Sequence, residues 1–302
     1  MQSIPFSFLP KADTMAAYGD HLVMYDNIGR KLEDTLSKDV FDFINQEFPI
    51  KIDFAVIILC VEGSIEIECN LRCLSAKKDE LIILPAGTIG ESLKIDPDST
   101  LVVISTPDYT IAPVSGFSNF TFAQENFLSP LCLTLDHDVV KSGIETYLQL
   151  KKTILEMPDK MSDDLVKAYV MVMAGLVSVN FHNWFSKEKE EQKNSKEKIL
   201  KDFLSRADMK HREHRSVTYY AEKAGLSSKY FAKVIYNASG KRPLDWIRDY
   251  VILDAKSMIK NKEYSMGEIC KMLNFTNQSQ FNKYFKDATG MTPLEYRRNP
   301  KI

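Results

Sequence analysis

Two short runs toward the carboxy terminus gather hydrogen-bonding and cationic side chains at helical spacing. With successive residues turned by about 100°, Lys229, Lys233 and Tyr236 lie within about 60° of one direction, with Ala232 among them. Phe231, Val234, Ile235 and Ala238 fall on the other side, as a core face. Further along, Ser279, Asn282, Lys283 and Lys286 share an outward face flanked by Gln278 and Gln280, opposite Phe281, Tyr284, Phe285 and Ala288. Neither outer face holds a carboxylate. Amide, hydroxyl and ammonium groups in that setting suit the base edges and phosphates of a DNA major groove, where Gln or Asn holds adenine bidentately and Lys reaches guanine or phosphate. The outer face of any ordinary helix is polar and merely solvated; recurrence of the pattern without acids is what favours DNA.

The elements that must hold these faces are themselves repeated. A shift of 50 residues pairs Phe231 with Phe281, Lys233 with Lys283, Ala238 with Ala288, Gly240 with Gly290, Pro243 with Pro293, Leu244 with Leu294 and Trp246 with Tyr296. Upstream the shift becomes 49, pairing Ala221 with Cys270 and Gly225 with Asn274, so the turn of the second unit has one additional residue. Each unit reads as helix, tight turn, helix. In the first, Thr218 to Ala224 forms a short helix, Gly225 supplies a positive φ and Ser227 caps the next helix. In the second, Ser265 caps Met266 to Leu273, and Asn274 takes the glycine position, since Asn tolerates left-handed geometry. Pro243 suits the first turn of a helix that continues through Leu244 to Lys260. Those seventeen residues span roughly 26 Å. With the half-width of each unit added, the two faces come close to the ~34 Å of one duplex turn.

The chain has 302 residues, with 39 Lys+Arg against 41 Asp+Glu and a formal charge of −2. That near-neutrality hides a division. Residues 195–302 carry 22 basic and 12 acidic side chains, leaving 17 and 29 for residues 1–194. Net charges of +10 and −12 point to a polyanion-binding part joined to an acidic one, and the length suits two domains. A hydrophobic content of 44% excludes intrinsic disorder. The longest nearly apolar stretch, Ala168 to Val179, has 12 residues, short of the roughly 20 of a membrane helix. The first 15 residues lack a secretory pattern, so a cytoplasmic location without a membrane partner is expected. Cys60, Cys69, Cys73, Cys132 and Cys270 include no CxxC pair and read as reduced thiols.

Residues 50–105 read as strands. Ile52 to Val61 is almost wholly apolar and Gly63 offers a turn. Ser64 to Cys69 alternates Ser64, Glu66 and Glu68 with Ile65, Ile67 and Cys69, the period of a half-buried strand. Leu81 to Leu84 runs into Pro85-Ala86-Gly87, and Leu101 to Ser105 stops at Pro107, so a compact barrel or sandwich is expected. From Val139 the period becomes helical through Val140, Ile144, Tyr147, Leu148 and Lys151 or Ile154, and Met157-Pro158-Asp159 closes the segment. A second helix is predicted from about Asp163 to Phe185, capped by Ser162 or Asp163. It is apolar nearly all round from Ala168 to Val179, so either the barrel and its neighbouring helix or a second copy of itself must cover it. Lys187 to Lys198, with charges of alternating sign, reads as an exposed linker or frayed helix end.

The segments AGLSSKYFAKVI and NFTNQSQFNKYFKDATGMTPLEYRR closely resemble the tandem helix-turn-helix domain of AraC/XylS-type transcription regulators, over about Lys198 to Arg298. The most specific part is Phe-x-x-x-Ser-x-Phe-x-x-x-Phe-Lys followed by Gly-x-x-Pro-x-x-Tyr-Arg in the second unit. By that resemblance the base-contacting positions fall on Ser228, Lys229 and Lys233 in the first unit and on Gln278, Ser279, Gln280 and Lys283 in the second. Tyr236, Asn282 and Lys286 complete the outer faces. Departures are Ile235-Tyr236 where Phe-Lys is usual, Asn274 where Gly is usual, and Lys233 and Lys283 in place of the frequent Arg, which weakens bidentate reading of guanine.

The resemblance implies an α+β multidomain chain. Its parts are a cupin-like sensory β-barrel over residues 1–135, a helical segment over 136–190 as a dimer interface, and an all-α DNA-binding domain over 191–302. In the last, two helix-turn-helix units at 218–236 and 266–286 are joined by a long helix. Gly63 and the run Leu74 to Gly87 resemble the corresponding barrel segment. The implied partners are double-stranded promoter DNA and a second copy of the chain, with RNA polymerase and an unidentified small-molecule effector also allowed. Enzymatic activity is not expected. The histidines are His21, His137, His182, His211 and His214, none within the strands, so a cupin enzyme's His-x-His and Glu metal set is missing. His211 and His214 are placed in a basic loop before the first unit. No GxSxG, P-loop or GxGxxG occurs, and no cofactor is expected. The rival readings are an architectural DNA binder of low specificity and a cupin enzyme fused to a DNA-binding domain.

Overall fold

The computed structural model describes residues 15–19, 22–35, 48–106, 130–191, 195–260 and 264–298. His21, Pro107 and the side chains of His182 and Trp184 lie outside the described part. The chain forms two compact units, Ser3–Glu188 and Lys189–Ile302. The amino-terminal unit contains strands β1 (Met15–Tyr18), β2 (Leu22–Asp26), β3 (Ile50–Lys51), β4 (Ala55–Glu62), β5 (Ser64–Cys69), β6 (Arg72–Lys77), β7 (Glu80–Leu84), β8 (Ile89–Ile95), β9 (Thr100–Thr106) and β10 (Leu131–Thr134). A short helix α1 (Leu32–Thr35) precedes β3, and α2 (His137–Glu156) and α3 (Asp163–Glu191) follow β10. The strands make a six-stranded sheet in the order β1-β2-β9-β4-β7-β10 and a four-stranded sheet in the order β3-β8-β5-β6. Neighbouring strands run antiparallel, with Ile58 opposite both Ile82 and Val103, and Ile67 opposite both Leu74 and Leu93.

The alternation in β5 follows its half-buried position: Ile65, Ile67 and Cys69 are buried, whereas Glu66 and Glu68 lie on the other face. They share a core with Ile58, Cys60, Ile82, Leu84 and Leu101 of the larger sheet. Strand β4 has no such alternation because both its faces are covered. On its other side Leu59, with Leu81, Val102 and Leu133, meets Val140, Tyr147, Leu150 and Ile154 of α2 and Val166 and Val170 of α3. The apolar run read from Ile52 starts after β3 and enters β4 only at Ala55, and Ile52 itself donates its amide to the Thr88 carbonyl. Gly63, at φ +78°, turns β4 into β5, and a Cβ there would collide with Ser99. Asp26, on β2, is buried and accepts hydrogen bonds from Tyr147 Oη at 3.0 Å and Lys151 Nζ at 2.5 Å, tying α2 to the sheet.

The helical segment thus packs as part of the amino-terminal unit. Ser162 caps α3, its Oγ accepting from the Leu165 amide at 3.2 Å. The helix extends to Glu191, and residues 195–198 open the next one, so much of the charged stretch read as an exposed linker or frayed helix end is helical. Lys and Glu are good helix formers, and opposite charges three and four residues apart favour that state. Leu148, expected on the apolar face of α2, is 41% exposed, and Met171 and Val172 of α3 are 43% and 52% exposed. Among the described residues no helix is long and apolar enough to cross a membrane, and no group of His, Cys, Asp and Glu is arranged to hold a metal ion. All five cysteines are free thiols.

The carboxy-terminal unit is all helical: α4 (Ser195–Lys210), α5 (Val217–Lys223), α6 (Ser228–Ser239), α7 (Pro243–Lys260), α8 (Met266–Met272), α9 (Gln278–Thr289) and α10 (Pro293–Arg298). Phe203 of α4 meets Tyr220 of α5 and Phe231 of α6 edge to face, each at 5.4 Å between ring centres. Ile269, Cys270, Leu273, Phe281, Phe285 and Tyr296 build the equivalent core of the second unit against Val251, Ala255, Met258 and Ile259 of α7. Helix α7 is therefore buried along most of its length, which its nearly continuous apolar run from Tyr250 to Ile259 requires.

Candidate nucleic-acid interface

Helices α5 and α6 are joined by a turn built from local chemistry. Ser216 caps α5 by accepting from the Thr218 amide at 3.2 Å, and Gly225 reverses the chain at φ +67°. The Leu226 amide then returns to the Ala221 carbonyl at 2.9 Å, and Ser227 Oγ accepts the Tyr230 amide at 3.3 Å to start α6. The second unit repeats this with Asn274 for Gly225, one added residue, Thr276, and Asn277 in place of Ser227 as the cap. Asn274 stands at φ 57° where the first unit has Gly225, and the Phe275 amide bonds the Cys270 carbonyl at 2.9 Å. Ser265 and Glu268 form a reciprocal capping box on α8. Those hydrogen bonds from Ser265 hold the Glu268 carboxyl below its usual pKa. Ala221 and Cys270 are both buried where the paired helices meet.

The two second helices present their polar faces to solvent. Ser228, Lys229, Lys233 and Tyr236 of α6 are exposed, as are Gln278, Ser279, Gln280, Lys283 and Lys286 of α9, while Asn282 is partly exposed. Lys229, Lys233, Lys283 and Lys286 make no ion pair with the described residues, and the Glu295 carboxylate, its pKa lowered first by hydrogen bonds from Thr292, is near enough to Lys286 to be lowered further. The opposite faces hold Phe231, Val234 and Ile235 in α6 and Phe281 and Phe285 in α9, all buried. Ala238 and Ala288 depart from the expected core face and are exposed. Each lies seven residues, nearly two turns, beyond its buried phenylalanine, in the last turn of its helix. The helices run on to Ser239 and Thr289, three residues beyond the expected limits, and end at Gly240 and Gly290 with φ of +71° and +82°.

Several residues that hold these faces carry no periodic signal. Asn277 caps α9, its Oδ1 accepting the Gln280 amide at 2.8 Å, and the Thr276 hydroxyl donates to Gln280 Oε1 at 2.7 Å, restraining that side chain. His211, expected in a loop, is buried and stacked against Tyr250. Its Nε2 lies 3.0 Å from Asp254 Oδ2, and Arg212 donates to both oxygens of the same carboxylate. This network ties the end of α4 to the middle of α7. Arg297 donates to the Ile259 and Tyr264 carbonyls at 2.9 and 2.7 Å, closing α10 against the end of α7. Arg215 donates through Nη2 to the Leu273 carbonyl, with its guanidinium 3.8 Å over the Phe275 ring. Burial lowers the Arg215 pKa and raises that of Tyr284 beside it. A carboxylate in the apolar run Val251 to Ala255 is the one clue of this kind open to sequence reading, because a charge there requires a partner.

Residues 220–299 match the model of a helix-turn-helix domain family. The chain is 26% identical over 185 residues to YdiP, an uncharacterized HTH-type transcriptional regulator of Escherichia coli (strain K12), a match that covers 60% of each protein. It is 18% identical over 267 residues to YdeC, an uncharacterized HTH-type transcriptional regulator of Bacillus subtilis (strain 168), covering 87% of this chain and 89% of the relative. The first of these matches thus spans less than two thirds of the relative's length. Among solved structures, ToxT from Vibrio cholerae O395 covers 83% of this chain and 90% of its own at 14% identity and a TM-score of 0.35. The DNA-binding domain of AdpA, solved with a target DNA, covers 34% of this chain and 97% of its own at 23% identity and a TM-score of 0.31. With two capped helix pairs turning at Gly225 and Asn274 within the matched segment, residues 220–299 belong to the AraC-type helix-turn-helix domains.

Proposed function

We propose that the protein is a sequence-specific DNA-binding transcription regulator that sets α6 and α9 into successive major grooves of promoter DNA. The observation that carries this reading is the recurrence, on the outer faces of two capped helices, of an exposed lysine at equivalent positions, Lys233 and Lys283, neither in an ion pair with the described residues, beside exposed hydroxyls and, in α9, amides. Ser228, Lys229, Lys233 and Tyr236 contact one groove, and Gln278, Ser279, Gln280, Asn282, Lys283 and Lys286 the next. Amides and lysines give α9 the larger share of base reading, because Gln binds adenine through two hydrogen bonds whereas Lys acts as a point charge. Helix α7, at 18 residues, is about 27 Å long and suits one turn of duplex between the two.

The amino-terminal residues 1–135 are read as a cupin-like regulatory barrel, supported by the two antiparallel sheets, and 136–190 as the segment through which two copies associate. The exposed Met171 and Val172, on the helix whose Val166 and Val170 are buried, support that role. Residues 191–302 are the DNA-binding part. A regulator of this kind works in the cytoplasm, non-enzymatically, with RNA polymerase and an effector as further partners. The test is an anisotropy titration of the full chain against the intergenic DNA upstream of its own gene and against a shuffled duplex at one salt concentration. Specific binding should exceed nonspecific by at least about 10³-fold; equal affinities would replace this reading with a low-specificity binder. Lys283→Ala and Gln278→Ala should each weaken the specific complex by ~1–3 kcal/mol. Unchanged affinity in both variants would remove α9 from the interface.

A further inference from the structure

We infer that Arg215 is a positioning residue that holds the two helix-turn-helix units at one separation and thereby sets which spacing of DNA half-sites the protein accepts. The inference rests on the DNA-binding reading above. Arg215 directly precedes Ser216, the cap of α5, so it is rooted at the start of the first unit. Its side chain reaches the second. Nη2 donates to the carbonyl of Leu273, the last residue before the left-handed Asn274, and the guanidinium lies 3.8 Å over Phe275, the residue after it. Tyr284, on α9 itself, is 5.9 Å from the same guanidinium. One side chain from the first unit therefore touches both the turn and the recognition helix of the second.

The root of this strut is fixed. The His214 carbonyl accepts the Tyr220 hydroxyl at 2.7 Å, and the His214 ring stacks on Tyr219 at 3.6 Å. The units are also related through α7 and the packing along it. A helix about 27 Å long is a lever: a tilt of about 5° at one end moves the other by roughly 2 Å. One inserted base pair displaces a half-site by about 3.4 Å and turns it by about 35°. A second tie between the units, beside α7 itself, is what makes a displacement of that size costly to follow. Lys cannot replace Arg here, because an ammonium cannot lie flat on Phe275 while donating in its own plane to Leu273.

The experiment uses the full chain and a duplex enriched by the wild-type protein from a random library, together with derivatives carrying one base pair inserted or deleted between the half-sites. The wild type should bind the altered duplexes at least about tenfold more weakly than the original. Arg215→Ala should bind the original less tightly and discriminate among the three by less than about threefold, with Arg215→Lys in between. A ratio of affinities is unaffected by the fraction of folded protein, so general destabilisation does not imitate this result. Should Arg215→Ala not fold, Arg215→Lys and Phe275→Leu carry the test. Wild-type discrimination retained in the variants that fold would overturn the inference. A library that yields no enriched sequence overturns the DNA-binding reading, and the inference with it.

Discussion

Asp254 should be the most costly carboxylate to remove from the carboxy-terminal unit. It is 1% exposed, midway along α7, and accepts from His211 Nε2 at 3.0 Å and from Arg212 Nε and Nη2 at 2.5 and 2.8 Å. In Asp254→Ala those donors lose their acceptor in a place that water does not reach. Breaking a buried ionic pair from one side costs about 3–5 kcal/mol. The Arg212 side chain is 32% exposed, so solvent recovers part of its loss, which sets the expectation at the low end, about 3 kcal/mol. Urea unfolding followed by Trp246 fluorescence in a Trp184→Phe background reads this unit, since the chain has only two tryptophans. With a slope of about 1.5 kcal/mol per molar urea, the midpoint should fall by roughly 2 M at constant slope. Arg212→Ala in the Asp254→Ala background should cost far less than in the wild type, because its partner is already gone. A loss below about 1 kcal/mol, or strict additivity of the two substitutions, would refute the network as a support of α7.

Two further outcomes concern the amino-terminal unit. Met171→Glu with Val172→Glu should convert a self-associating protein to a monomer in sedimentation equilibrium; a wild type that is already monomeric at micromolar concentration would dismiss the α3 surface as an interface. Burial, with Glu80 adding to it, pushes the Cys60 and Cys132 thiols up to about 11. A raised thiol pKa keeps the neutral form present until the pH climbs through the raised value, so at pH 8 only about one such thiol in a thousand is ionised. Iodoacetamide should therefore modify the exposed Cys73 first in the folded protein, more slowly than free cysteine because Glu66, 3.2 Å away, raises its pKa as well. Equal modification of Cys60 or Cys132, mapped by mass, would contradict the burial assigned to them.

What could be read before folding is what local chemistry decides. Ser227 and Ser265 cap their helices, Gly225 and Asn274 turn left-handed, and the alternation of β5 survives because these outcomes depend on residues within a few positions of one another. The exposure of Ala238, Ala288 and Leu148 was not legible, because a direction on a helix says nothing about where its neighbours stop. Nor were the roles of His211 and Arg215, whose partners lie 43 and 58 residues away.

The division of charge joins the two kinds of information. Four of the twelve acids in residues 195–302 are paired with other basic residues: Asp254 with Arg212, Asp245 with Arg242 and Arg248, Asp249 with Lys241 and Arg248, and Glu213 with Lys210. The lysines of α6 and α9 have no such partners among the described residues. Lys229, Lys233, Lys283 and Lys286 thus place four of the 22 basic side chains of residues 195–302 on the two repeated faces, where a polyanion would feel them.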